Sequence, residues 1–319
     1  MTDFTPEGIF KVRLPLPFRL NHVNCYALKG RDGWTVIDAG LNYEPTRLAW
    51  ERFMREHGFI PQDITGIYVT HHHPDHYGAA GWLQELSGAP VYMNPVESAL
   101  AARMWREDLA GWMSAMFLEN GLPGDLMPNL LEEVALMQSR TRPHPRVTLL
   151  DGTKTVRLGD RDYRIVVTPG HADGHTCFYD EETGLLLSGD HLLPQISSNI
   201  SRWPHSRPDP LEDFLTSLAE NKQLRAKAAL PGHGLPFTGI DLRLTQLEEH
   251  HRERLELMRG IAARGATAYQ VARAVFGDEL SLHETRFAVT ETMAHLNYLE
   301  IRGRLKVDRR DGRLVYSGP

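Results

Sequence analysis

A run of imidazoles and carboxylate directly after an apolar stretch is the strongest chemical signal in the sequence. Residues 64–70 are apolar and rich in β-branched side chains, which predicts a buried strand, and His71, His73, Asp75 and His76 follow at once. Buried imidazoles need hydrogen-bond partners and neighbouring cations repel each other, so this cluster suits a hydrophobic core poorly. Neutral imidazole and ionised carboxylate are common ligands of divalent metals. The run therefore predicts a metal site, with a solvated histidine-rich loop as the alternative.

Three further strand signals end in a histidine or an aspartate. His171 follows the first of them, Asp190 the second and His233 the third. A rigid strand end is a common way for a scaffold to present catalytic groups on loops. One Gly-His pair alone would be weak evidence, but four such strand ends in this order are a strong signal for a single site.

The elements that must position these side chains alternate between strands and helices. Residues 8–38 predict an antiparallel meander of three strands, and residues 43–57 predict an amphipathic helix. Residues 96–140 predict helices broken at 120–123, and strand signals return between residues 147 and 230. This order predicts an α/β protein in which two sheets are sandwiched between helices.

The C-terminal segment, residues 241–319, has a different composition. It predicts three helices and then a hairpin that turns at Asp311 and Gly312. Thr267 and Gln270 match a capping box at the start of the second helix. We expect two domains, 1–240 and 241–319, and an exposed third helix (281–301). Such a helix on an acidic body would permit a homodimer.

Composition limits the classes of protein to consider. The net charge of −6 argues against a general nucleic-acid binder, and no apolar run is long enough to span a bilayer. Cys25 and Cys177 each lie in an apolar strand-like run, which suits buried thiols in a reducing cytoplasm. The first seven residues show no signal-peptide pattern, so we expect a cytoplasmic protein.

The strand-end residues together resemble the metallo-β-lactamase superfamily. The H-x-H-x-D-H run and the later His171, Asp190 and His233 match its motifs over roughly residues 8–240. The resemblance implies a four-layer αβ/βα sandwich. The C-terminal helices and hairpin, with the pattern from His295 to Leu299, resemble the β-lactamase-like protein 2 group, which adds a small winged-helix domain.

The resemblance also implies a ligand set for two metal ions. The first metal would take His71, His73 and His171, the second would take Asp75, His76 and His233, and Asp190 would bridge both. Supporting roles without direct ligation would fall to Asp38, His72, His175 and His191. Zinc is the expected metal, and iron or manganese would also suit these nitrogen and oxygen ligands.

The chemistry expected of such a site is hydrolysis by a metal-activated water. Two metals lower the pKa of a shared water and polarise the substrate, and Asp75 would orient that water and pass a proton to the leaving group. Asp190 argues against a true β-lactamase, which has cysteine or no ligand there. His73 argues against the flavodiiron oxidoreductases. The sequence between Asp190 and His233 contains no long insert, which argues against nucleases with a β-CASP domain.

Several substrates stay open at this point. A thioester or other activated acyl compound is the first choice. The alternatives are a lactone, a phosphodiester, single-stranded RNA cleaved by an endonuclease, and a persulfide oxidised by a mononuclear-iron dioxygenase. A non-catalytic metal-binding regulator is a further class. Single-stranded RNA as a partner would depend on six basic residues near the hairpin: Arg302, Arg304, Lys306, Arg309, Arg310 and Arg313.

The helical insert at residues 96–140 is the predicted specificity element. Five of the ten methionines fall there, together with several aromatic residues. Methionine and tryptophan line adaptable apolar pockets well, so the insert could form a wall or lid over the site, although ordinary helical core is the alternative. The residues predicted to line the substrate pocket are Trp105, Trp112, Met113 and Met116.

Overall fold

The first half of the chain forms a six-stranded sheet whose strands lie side by side in chain order. The computed structural model describes residues 5–319, so residues 1–4 at the start of the expected first domain lie outside the described residues. The strands are β1 (Ile9–Pro15), β2 (His22–Gly30), β3 (Gly33–Ile37), β4 (Ile64–Val69), β5 (Val91–Met93) and β6 (Val147–Leu149). The predicted meander is confirmed, because β1 to β3 pair antiparallel. From β3 onward the pairing is parallel, which requires crossover connections between the strands.

The second half forms another six-stranded sheet in the order β12–β11–β10–β9–β8–β7. Most pairs are antiparallel, and the β10–β11 pair is parallel with a helix in its crossover. The strands are β7 (Thr155–Leu158), β8 (Arg161–Val167), β9 (Thr176–Asp180), β10 (Leu185–Gly189), β11 (Ala228–Pro231) and β12 (Phe237–Thr238).

Ten α-helices and a C-terminal hairpin complete the described part of the chain. The helices are α1 (Glu44–His57), α2 (Pro74–Tyr77), α3 (Ala80–Ser87), α4 (Pro95–Arg106), α5 (Ala110–Glu119), α6 (Met127–Ser139), α7 (Pro210–Asn221), α8 (Ile240–Ala262), α9 (Ala268–Phe276) and α10 (Leu282–Ile301). The hairpin consists of β13 (Lys306–Arg310) and β14 (Arg313–Ser317). None of these helices is both long and apolar enough to cross a membrane.

The two sheets pack face to face, with helices on their outer faces. Alternate residues of a strand point to opposite faces, so Tyr26 and Leu28 join a core with Phe178 and Leu187 of the second sheet. The intervening residues of the same strand, such as Ala27, belong to a separate core that includes the helices. The predicted α/β arrangement of sheets between helices is therefore confirmed. Both cysteines are free and buried, as predicted.

The C-terminal segment contains the three predicted helices and the hairpin. Its predicted turn is confirmed, since Asp311 and Gly312 both have positive φ (48° and 77°). The capping box is confirmed too, because the Thr267 hydroxyl accepts from the Gln270 backbone N–H at 3.3 Å. The expectation of an exposed third helix is wrong. Most of α10 is buried, because α6, α7, α8 and α9 pack against it on several sides.

The helical insert is broken in two places. The predicted break near residue 120 is present between α5 and α6, and a second break separates α4 from α5. Trp105, Met113 and Met116 are buried in the main core. Most of the apolar composition of the insert therefore serves packing.

Candidate metal centre

Three imidazole nitrogens from two distant loops converge at one point. His71 and His73 follow β4, and His171 follows β8 at the equivalent edge of the other sheet. His71 Nε2 lies 3.1 Å from His73 Nδ1 and 3.2 Å from His171 Nε2. These separations fit three ligands that point at a common ion, and this group is the one that the family resemblance implied for the first metal.

A second group lies beside the first. His233 Nε2, after β11, is 3.3 Å from Asp75 Oδ2, and that same oxygen is 3.7 Å from His76 Nε2. Asp190, after β10, lies between the two groups. Its Oδ1 is 3.3 Å from His76 Nε2, and its Oδ2 is 3.4 Å from His233 Nε2 and 3.7 Å from His171 Nε2. The fold thus brings all seven residues of the expected ligand set together.

The hydrogen bonding of these side chains fits bound cations. His76 Nε2 and Asp190 Oδ1 are buried and lie 3.3 Å apart, but neither atom makes a hydrogen bond within the described residues. A buried polar atom without a hydrogen bond is costly, and a metal ion would satisfy both atoms. The donor set of nitrogens and carboxylate oxygens suits zinc, iron or manganese.

Charge in the centre leads to the same conclusion. Burial lowers the pKa values of His71 and His73, and the neighbouring imidazoles lower them further, so both rings are held in the neutral form that binds metal. Burial alone would lower the pKa of His233 as well, but Asp190 and Asp75 raise it to about 10. The two carboxylates therefore stabilise a positive charge at this position, which either a proton or a metal ion can supply.

Hydrogen bonds to the ring N–H groups leave the facing nitrogens free for ligation. His71 Nδ1 donates to the Thr70 hydroxyl at 2.9 Å, and that hydroxyl in turn donates to Asp38. His171 Nδ1 donates to the backbone oxygen of Asn199 at 2.8 Å. His233 Nδ1 donates to the backbone oxygen of His22 at 2.8 Å. Such partners fix the tautomer and orientation of metal-binding histidines.

Asp38 has the supporting position that was predicted for it. Its Oδ2 accepts from His76 Nδ1 at 2.8 Å, and its Oδ1 accepts from the Thr70 backbone N–H at 2.8 Å. Asp38 is buried and has a φ of 61°, a left-handed conformation that aspartate tolerates better than most residues. It therefore connects the end of β3 to the histidine loop after β4.

A close backbone approach also shapes the centre. A Cβ atom added to Gly232 would collide with Asp190 Oδ1 and would lie 2.8 Å from His76 Cε1. A glycine is needed here because the chain passes directly against two of the expected ligands.

The three other histidines lie beside the centre without joining it. His175 Nε2 accepts from the Asp190 backbone N–H at 3.1 Å, and its Nδ1 donates to the Thr168 hydroxyl at 2.8 Å. His72 donates to Glu97, and His191 is buried next to the Asn221 side chain. None of them belongs to the ligand groups found among residues 5–319.

Sequence reasoning missed the carboxylate that joins the two ligand loops. Glu97 is fully buried at the start of α4, and its Oε2 accepts from both the backbone N–H and Nδ1 of His72 at 2.7 Å. Its Oε1 accepts from the Gly174 backbone N–H at 2.7 Å. Glu97 thus holds the loop of His71 and His73 against the loop of His171. Glutamate is usually exposed and burial is not visible from sequence, so the sequence offered no signal for this contact.

A second missed contact comes from the C-terminal segment. Asn199 Nδ2 donates to Glu291 Oε2 of α10 at 2.8 Å, while the backbone oxygen of Asn199 accepts from His171. Two hydrogen bonds therefore connect α10 with an expected ligand.

A narrow cavity opens beside His73 and His171. Trp112 lines it together with Met104, Trp203 and other residues, whereas Trp105, Met113 and Met116 do not. Trp105 instead donates its indole N–H to the His72 backbone oxygen at 2.7 Å. Of the four predicted pocket residues, the structure places only Trp112 in this cavity.

Comparison with known proteins agrees with this geometry. Residues 19–233 match the metallo-beta-lactamase superfamily, and residues 255–318 match a metallo-beta-lactamase-like C-terminal domain. The chain is 31% identical to a probable metallo-hydrolase, YqjP of Bacillus subtilis, over 93% of both chains. It is 26% identical to the acyl-coenzyme A thioesterase MBLAC2 of Gallus gallus, over 71% of this chain and 78% of that one.

A solved structure is similar to this chain along almost the whole length of both chains. A metallo-beta-lactamase family protein from Thermus thermophilus superposes with a TM-score of 0.88 at 34% identity. The match covers 98% of this chain and 99% of that chain, so the two share the C-terminal segment as well as the two sheets.

Proposed function

This chain belongs to the metallo-β-lactamase superfamily and is a metal-dependent hydrolase, and on that basis we propose that it cleaves thioesters or other activated acyl compounds at a dinuclear metal centre. The observation that carries the proposal is the geometry of Asp190. Its two oxygens face ligands of both groups within 3.3 to 3.7 Å, as a carboxylate shared by two ions would. The relative named as an acyl-coenzyme A thioesterase supports the choice of substrate class.

The roles of the side chains follow from their positions. When bound, two divalent ions would lower the pKa of a water between them and polarise the acyl carbonyl. One ion would be held by His71, His73 and His171. The other ion would be held by Asp75, His76 and His233. The Asp75 side chain is 19% exposed, against 9% for Asp190 and 3% for His233, so it can also reach a leaving group. We assign it to accept the proton that the attacking water loses and to pass that proton to the departing thiolate.

The proposal includes the metal identity and the domain division. We expect zinc, with iron or manganese as the alternatives, and metal analysis of the purified protein decides between them. We assign residues 1–240 to catalysis and residues 241–319 to a winged-helix-like unit. Three helices followed by a hairpin support that assignment. The cytoplasmic location stays a prediction from the sequence, and the two buried free thiols are consistent with it.

Binding of single-stranded RNA receives little support from the hairpin region. Arg302 pairs with Asp209 at 2.7 Å, and Arg309 pairs with Glu119 at 2.8 Å. Arg304 and Arg310 also have carboxylate partners. Since these charges are already compensated, the basic cluster is weaker toward phosphates than its sequence suggests. A homodimer stays a prediction, and the burial of α10 removes one of its two grounds, the exposed third helix.

Thiol release from a panel of acyl thioesters tests the proposal. The metal-loaded protein should release thiol, and Asp190→Ala should lose most of that activity. Asp162→Ala is a matched control, since Asp162 is an exposed surface aspartate paired with Arg157. Metal content is measured for each variant. A wild-type protein that contains its metals and releases no thiol would refute the thioesterase proposal and would make lactones the next substrates.

A further inference from the structure

The cavity beside the metal centre contains a cation without a partner. Arg103 of α4 lines this cavity together with His73 and His171. Its side chain is half-buried, and within residues 5–319 it makes no hydrogen bond, no ion pair within 4.0 Å and no ring contact. Partial burial of a guanidinium without an anion costs solvation free energy. An anionic ligand in the cavity would recover that cost.

The acidic residue that shares the cavity does not neutralise Arg103. Asp173 also lines the cavity, but its Oδ2 accepts from the Arg207 backbone N–H at 2.9 Å. The guanidinium fork of Arg103 is thus available for a planar oxyanion, which arginine binds in a bidentate manner.

The aromatic walls of the cavity strengthen such an ion pair and limit the size of the group that can enter. Trp112 packs nearly perpendicular to Trp203, with 6.2 Å between ring centroids, and His205 lies 5.5 Å from Trp112. The free space in the cavity is only about 20 Å³. So small a space excludes a bulky acyl group, and only the terminal carboxylate of a short acyl arm would enter it. The two tryptophan rings lower the local dielectric constant, which makes an ion pair beside them stronger than one in water.

The position of the cavity relative to the two ligand groups indicates which part of the substrate it would hold. The cavity adjoins His73 and His171 of the first group, and Asp75 and His233 are not among its lining residues. Since we assign Asp75 to the leaving thiolate, the leaving group lies over the second group. The acyl part then extends toward Arg103.

The structure assigns Arg103 as the carboxylate-binding residue for a short acyl chain that ends in a second carboxylate. The preferred substrates are then thioesters of small dicarboxylic acids, of the succinyl or glutaryl type. This inference rests on the proposed thioesterase function, and it replaces the purely apolar pocket expected from the composition of the insert.

The test compares two thioesters of N-acetylcysteamine, a thiol without charge. One carries a succinyl group and the other a pentanoyl group of similar length. Wild-type protein should prefer the succinyl ester in kcat/KM, and Arg103→Met should lose about 10- to 100-fold on that ester, mainly through KM. Activity on the pentanoyl ester should change little, and Arg103→Lys should be intermediate. Arg106→Met is the matched control on the same helix, because Arg106 is exposed and bonds to the Pro145 backbone oxygen.

A binding measurement keeps the inference testable without turnover. Glutarate and pentanoate share one carboxylate and differ by a second one, so titration of each into the metal-loaded protein isolates that group. Quenching of tryptophan fluorescence should report tighter binding of glutarate in wild-type protein and equal binding of both acids in Arg103→Met. Equal binding in both proteins, or an unchanged ester preference in the variant, overturns the role of Arg103. Failure to hydrolyse either ester, with glutarate binding intact, instead refutes only the thioesterase function.

Discussion

Replacing Glu97 should damage both stability and metal binding, although this residue is not an expected ligand. Its carboxylate accepts three hydrogen bonds of 2.7 Å from the two loops that carry His71, His73 and His171. In Glu97→Ala these three donors would stay buried without an acceptor. An unsatisfied buried donor costs about 1–3 kcal/mol, and partial entry of water lowers the sum, so we expect a loss of about 3–5 kcal/mol in the free energy of unfolding.

Glu97→Gln separates charge from volume. The amide keeps one acceptor oxygen, but its NH₂ group must face a donor, so we expect a loss of about 2–3 kcal/mol. Partners that orient metal ligands typically contribute 10- to 100-fold to affinity, and we expect the affinity of the first metal to fall by about 10-fold or more. Glu107→Gln, at the exposed end of the same helix, is the matched control.

Two assays separate the effects. Urea unfolding of the metal-free protein, followed by circular dichroism, measures stability, and competition with a chromophoric chelator measures metal affinity. If Glu97→Gln unfolds within about 0.5 kcal/mol of wild type, the hydrogen bonds do not contribute as argued. If stability falls but metal affinity does not, Glu97 supports the fold and leaves the position of the ligands unaffected.

Two further predictions concern the edges of the centre. Gly232→Ala should displace the Asp190 carboxylate and lower metal content by about 10-fold at equal metal supply. Gly260→Ala on α8 is the control and should bind metal normally, because a Cβ added there meets no atom within 4 Å. Equal metal content in the two variants would contradict the close approach at Gly232. Burial raises the pKa of Glu291 from 4.5 to about 7, so the folded protein retains a proton that the unfolded chain loses, and stability should fall as pH rises through that window. Glu291→Gln keeps an acceptor for Asn199 and should lack this slope in urea unfolding between pH 4.5 and 7; an unchanged slope would place its origin elsewhere.

The strand ends were predictable because their signals are local. An apolar run followed by His71 or Asp190 indicates both the strand and the polar group at its end, within a few residues of sequence. Contacts between distant segments were not predictable in this way. Glu97 meets residues 25 and 77 positions away, and Glu291 meets Asn199 from 92 positions away.

The errors have related physical causes. The sequence of α10 shows apolar positions but does not show how many neighbouring helices cover them. In the structure four other helices contact α10 and bury most of a helix that was expected to be exposed. In the insert, composition indicated an apolar environment without separating core from pocket. Trp112 reaches the cavity, whereas Met113, the next residue on the same helix, points into the core.

The contacts between the insert and the C-terminal segment have a consequence for how the chain can be divided. The Tyr269 backbone N–H donates to the Asn120 oxygen at 3.0 Å, and Arg309 pairs with Glu119. Asn297 also donates to the Pro208 oxygen at 2.9 Å. A chain truncated after the second sheet would therefore lose partners of both the insert and the loop that carries Asn199. The two segments should melt as one cooperative unit, and neither should be exchangeable between relatives without the other.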